Sequence, residues 1–95
     1  LADRALALDP NLGSAYVVRA LLAPSRAQAE KDLRRGIALA PNYGEGYFRL
    51  ATQLLDEPAR RAEALELLDR AVAVDPLRPR YRLIQAGEQF RGDRD

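Results

Sequence analysis

The sequence predicts an all-α fold: about six amphipathic helices, paired as antiparallel hairpins and stacked as an α-solenoid. Three observations predict it. The first is a helix-stop signal written three times: ALALDPNLG at Ala5–Gly13, GIALAPNYG at Gly36–Gly44 and AVAVDPLRP at Ala71–Pro79. Its prolines, Pro10, Pro41 and Pro76, are 31 and 35 residues apart, a period in the range of helical repeats. Proline ends a helix because it lacks the amide donor and its ring clashes with the preceding turn. The second observation is periodicity. Apolar residues recur at helical spacing between the stops, and no stretch alternates as a strand would. The third is composition: Ala and Leu carry most of the 47% apolar share, and only 6% of residues are aromatic. That balance favours closely packed helices over a sheet.

In order, Leu1–Asp9 reads as the back end of a helix whose start is not in the chain. Asn11 can cap the next helix, about Gly13–Ala23, which Pro24-Ser25 interrupts. Ser25-Arg26-Ala27-Gln28 matches a capping box, with Ser25 accepting from the Gln28 amide and Gln28 reaching back. A helix to Leu39 follows, with Ala29, Leu33, Gly36 and Ile37 on one face and Glu30 and Arg34 as an i,i+4 pair on the other. The helix at about Gly44–Asp56 turns Tyr47, Leu50, Ala51, Leu54 and Leu55 inward. Pro58 suits the first turn of the next, about Pro58–Val74, which packs through Ala64, Leu65, Leu68, Ala71 and Val72 and pairs Glu66 with Arg70 outside. The last helix, about Pro79–Arg91, carries Tyr81, Ile84, Ala86 and Phe90, and the polar Gly92–Asp95 is expected to fray. The connections are too short for anything but antiparallel neighbours.

The chain therefore reads as a single domain, residues 1–95, cut from a longer protein. Residues 1–12 end one copy, 13–43 form a shortened copy, 44–78 a full one, and 79–95 the first helix of another. Ninety-five residues allow only a modest core. The net charge of +1 gives no strong pull toward nucleic acid or anionic membrane. Arg supplies all the basic residues except Lys31, a bias that suggests a GC-rich bacterial genome. There is no Cys, which fits a cytoplasmic protein and leaves the periplasm open. No apolar run approaches the roughly 18 residues of a membrane span.

The spacing of these residues resembles the tetratricopeptide repeat, a helix–turn–helix unit of about 34 residues. In the central copy Tyr47, Leu50, Ala51, Ala64, Leu68, Ala71 and Pro76 stand at the family's motif positions, as Tyr16, Ala20, Ala29, Leu33, Gly36 and Pro41 do in the first. Three departures stand out. Arg19 replaces the usual Leu, about three residues are missing around Ala23–Ser25, and Tyr81 lies one place early. The small residues have a physical reason: Ala20 with Ala29, and Ala51 with Ala64, would let helix axes approach closely.

The resemblance implies a curved stack whose first helices line a concave groove. By that likeness the lining comprises Val17, Leu21, Glu45, Phe48, Arg49, Thr52, Arg80, Leu83 and Ile84. Phe48 follows an inward Tyr47, so a turn of about 100° per residue directs it toward the groove. Beside it Arg49 offers a fork for a peptide carboxylate or acidic side chain. Some relatives clamp the terminal carboxylate of heat-shock chaperones with Lys and Asn. Here Val17, Leu21 and Ile84 occupy matching places and Arg80 is the one basic match, so a more apolar peptide or helix is expected.

No enzyme is expected. The chain has no His and no Cys, and its carboxylates (Glu30, Asp32, Glu63, Glu66, Asp69) read as solvated helix surface beside arginines. No cofactor or metal is called for, since no loop converges several oxygens and no phosphate-cradling loop follows a strand. The function this implies is a protein–protein interaction scaffold that binds a peptide or helix of a partner. The alternative is a spacer that contacts only its own chain or self-associates through exposed terminal helices. An RNA-binding helical repeat is the least favoured reading, because the basic C-terminal segment lacks stacking aromatics.

Overall fold

Each internal stop signal falls where a helix ends. The computed structural model describes the backbone of residues 12–94 and the side chains of residues 12–91. Its regular elements are all helical: α1 (Gly13–Leu21), α2 (Arg26–Leu39), α3 (Gly44–Leu54), a 3-10 turn (Pro58–Arg60), α4 (Arg61–Val74) and α5 (Pro79–Arg94). The expected helix at Leu1–Asp9, the Asn11 cap and Asp95 lie outside the described residues.

Local chemistry accounts for the starts and stops, with three corrections. Ser25 is extended and its Oγ accepts from the Gln28 amide at 3.2 Å. Gln28, however, does not reach back; its Nε2 donates to Asp32 Oδ1 at 3.3 Å instead. Pro58 opens a 3-10 turn, closed by the Arg60 amide on the Glu57 carbonyl at 2.9 Å, and the α-helix begins only at Arg61. At the other end, α5 does not stop at Arg91 but continues to Arg94.

The contacts define the topology. A Cβ built on Gly13, at the start of α1, would lie 2.5 Å from the Cβ of Ala40 and 2.8 Å from the carbonyl oxygen of Gly36, at the end of α2. At the other end of that pair Ala20 and Ala29 share one buried cluster, so α1 and α2 run antiparallel. Gln53 Nε2 on the Arg26 carbonyl (2.9 Å) and Gly46 against Ile37 make α2 and α3 antiparallel as well. Gly44 meets Val74, and Leu54 clusters with Ala64, across α3 and α4. Arg61 on Glu88 (2.7 Å) and Gln85 on Asp69 do the same for α4 and α5.

Alternate helices lie side by side. Val17 of α1 reaches Gly46 of α3, and Gly44 of α3 receives the ring of Tyr81 from α5. Helix α3 sits at the centre: its Leu50, Ala51 and Leu54 retain no exposed surface and feed two adjoining apolar clusters. Helix α5 differs from expectation. Of its apolar residues only Tyr81 is buried, while Ile84, Ala86 and Phe90 are exposed, and it docks on α4 through Tyr81, Gln85 and Glu88.

The second helices are joined by ions, which corrects the reading of Glu30 and Asp32 as solvated surface. Asp32 is 3% exposed and accepts from Arg19 Nε at 3.3 Å. Arg19 thus supplies the counter-charge for a buried carboxylate. Arg60 grips Glu30 with both Nη groups at 2.8 and 2.6 Å, Arg34 adds its Nε at 2.9 Å, and Arg34 reaches on to Glu63 at 3.0 Å. Among the described residues no ion pair joins Glu66 to Arg70.

The hydrogen bonds from Arg60, then those from Arg34, outweigh burial and hold the Glu30 carboxyl at about 2, against its ordinary 4.5. A depressed carboxyl stabilises the fold above its unfolded value, and that contribution is lost as pH falls from 4.5 toward 2. Because the cluster is partly exposed, Glu30→Gln should cost only about 1–2 kcal/mol at neutral pH. Urea midpoints of wild type and variant, taken at neutral and strongly acidic pH, should differ at the first and converge at the second. A constant gap would remove Glu30 as the source.

Candidate functional site

On the face formed by α1, α3 and α5, Glu45 is the hub. Its carboxylate accepts from Arg49 Nε at 3.1 Å, one turn along α3, and from the Tyr81 hydroxyl of α5 at 2.9 Å. Arg80 Nη1 lies 3.6 Å away. Burial, and after it the Glu45 carboxylate, push the Tyr81 phenol up to about 12, so it remains a donor at any working pH.

The groove residues expected from sequence separate into four groups, with Arg49 shared by two of them. Val17 and Phe48 do not line the face: each is 3% exposed. Val17 packs into the close crossing at Gly36. Phe48 stacks on Tyr81, ring centroids 4.8 Å apart and planes 30° apart, with the Arg80 guanidinium 4.5 Å above its ring. The cause is the early placement of Tyr81. Counted from Pro76, Arg82 stands where Tyr47 stands after Pro41, and both donate to the proline carbonyl, at 3.3 and 2.8 Å. Tyr81 is thereby turned back onto Gly44 and covers Phe48.

Glu45, Arg49 and Arg80 form the second group, one charged cluster with two guanidiniums to one carboxylate, which Tyr81, not expected from sequence, joins through Glu45. Leu21, Arg49 and Thr52 form the third, around an open depression between α1, the start of α2 and α3. Leu83 and Ile84 form the fourth, on α5, 72% and 37% exposed. Sequence reasoning missed Arg26 and Gln53, which join Leu21 and Thr52 at the depression. The missing residues around Ala23–Ser25 were the signal for them.

The arrangement sets charges beside apolar surface. Both hydroxyls on the face are committed as donors: Thr52 to the Arg49 carbonyl at 3.0 Å and Tyr81 to the Glu45 carboxylate at 2.9 Å. Among the described residues no group of three or more acidic side chains could hold a metal ion, and no helix is long and apolar enough to cross a membrane. The chain matches no protein-family model, and no curated protein is significantly similar to it.

Proposed function

We propose that this chain is a tetratricopeptide-like interaction module, built from stacked helix hairpins, that binds a peptide or helix of a protein partner along its first helices. It is read as a binding module, not an enzyme. One observation carries this: α1, α3 and α5 lie side by side with Leu21, Arg49, Thr52 and Arg80 at least partly exposed on their shared side. The extents of 47 × 29 × 18 Å support the solenoid reading, since stacked hairpins lengthen along one axis. Arg49 and Arg80 favour an acidic partner, because the single Glu45 between them leaves an excess of positive charge.

The burial of Phe48 favours a second reading. With its most apolar plate used to fasten α5, the face has less to offer a partner, as a spacer would. Capture of cell proteins by the wild type, Arg49→Glu and Arg70→Glu separates the two. The groove reading expects proteins retained by the wild type and by Arg70→Glu and lost from Arg49→Glu, all three being equally helical. Identical capture by all three would favour the spacer.

A further inference from the structure

Resting on the groove reading above, we propose that the depression at the tip of the short first hairpin is a subsite for one residue of an acidic peptide: an apolar side chain with a carboxylate next to it.

The site follows from the shortened copy. Helix α1 ends at Leu21, five residues past Tyr16, whereas α3 runs to Leu54, seven past Tyr47. Pro24 and Ser25 then turn the chain directly into α2. Counted from the two tyrosines, Ala23 stands where α3 carries Leu54. Leu54 is wholly buried and fills its hairpin, while Ala23 lies beyond its helix and is far smaller. The space between α1, the first turns of α2 and the last turns of α3 is an open depression of about 270 Å³. Drug-sized pockets run from roughly 300 to 1,000 Å³, so this one suits a single side chain of a longer ligand.

Its chemistry is two-sided. The floor is Ala20, Ala29 and Leu33, at 9% exposure or less, and Leu21 forms an apolar lip. Arg26 and Arg49 stand at the rim, and no carboxylate lines the depression. Arg49 spends only its Nε on Glu45 and Arg26 only its Nη2 on Asp56, so each keeps N–H groups that make no hydrogen bond among the described residues. Arg80 also draws on Glu45, at the start of α3, so that carboxylate is shared between Arg49 and Arg80. The polar neighbours are already committed: Thr52 Oγ1 donates to the Arg49 carbonyl at 3.0 Å, and Gln53 Nε2 to that of Arg26 at 2.9 Å. An apolar group on the floor with an anion at the rim answers both halves of the site.

The test is an amide NMR titration of the whole chain with the acetylated, amidated tetrapeptide Gly-Leu-Asp-Gly. Saturable shifts are expected at Ala20, Leu21, Ala29 and Thr52. Replacing the peptide's Leu by Gly, or its Asp by Lys, should weaken binding at least tenfold. Arg26→Glu and Arg49→Glu, each checked for unchanged helicity, should do the same, while Arg70→Glu on the outer side should bind as the wild type does. Equal binding of the Asp and Lys peptides, or no shift at these amides, overturns the subsite. Shifts confined to Arg80 and Ile84 overturn it too and leave the groove standing. The groove reading fails separately, when capture by Arg49→Glu matches the wild type.

Discussion

Gly36→Ala should lower the thermal midpoint, and Gly87→Ala should raise it. Helix propensity alone gives both the same sign, because alanine exceeds glycine by about 1 kcal/mol in a helix interior. Packing separates them. A Cβ on Gly36 would lie 2.9 Å from the Gly13 carbonyl oxygen and 2.9 Å from a methyl of Val17. The carbonyl belongs to the backbone of α1 and cannot rotate away, so the two axes must part. Overpacking costs about 1–3 kcal/mol, and against immovable backbone the upper half of that range applies, so after the propensity gain about 1–2 kcal/mol remains, lowering the midpoint by roughly 5–15 °C in a domain of this size. A Cβ on Gly87 meets nothing within 4 Å, so the propensity gain stands as an increase of a few degrees, about 0.5–1 kcal/mol. Calorimetry of both variants decides it. Two shifts of one sign would contradict the close crossing of α1 and α2.

Tyr81→Ala should release α5 from the rest of the chain. Tyr81 is 1% exposed and is the one buried side chain α5 contributes among the described residues. The other attachments, Arg61 to Glu88 and Gln85 to Asp69, are polar and partly exposed, the class worth least to stability. Truncating a buried aromatic costs about 3–5 kcal/mol, more than such contacts recover. Hydrogen exchange should accelerate across Pro79–Arg94 while α1–α3 keep their protection. Tyr81→Phe keeps the ring on Gly44 and Phe48 and loses only the bond to Glu45, so it should cost about 1 kcal/mol. Uniform acceleration across all helices in Tyr81→Ala would mean that α5 is part of the main cooperative unit.

What was legible in the sequence was local. Pro41 and Pro76, the Ser25 cap and the apolar spacing each act within one turn of the chain, and they set the helices within a few residues. The small residues were legible too, because Ala20, Ala29, Ala51 and Ala64 recur at fixed places and are all buried. The failures share a cause: each depends on a side chain arriving from another helix. Asp32 reads as surface until Arg19 crosses the hairpin to meet it. Phe48 reads as a groove residue until Tyr81, displaced one place along α5, turns onto it. The grip of Arg60 on Glu30 joins the 3-10 turn before α4 to α2, and no spacing within either reports it. Glu45 and Arg49 were both named for the groove; their pairing with each other and the link of Glu45 to Tyr81 were not.

The most direct test of this arrangement is a set of proton–proton NOEs between alternate helices, on which the shared face of α1, α3 and α5 depends. Cross-peaks are expected from the Tyr81 ring to the Gly44 Hα protons and the Phe48 ring, and from the Val17 methyls to the Gly46 Hα protons. Their presence would place the first helices side by side, as a peptide-binding groove requires. If Tyr81 shows contacts to α4 alone and Val17 to α2 alone, the helices form consecutive hairpins without stacking, and the groove does not exist.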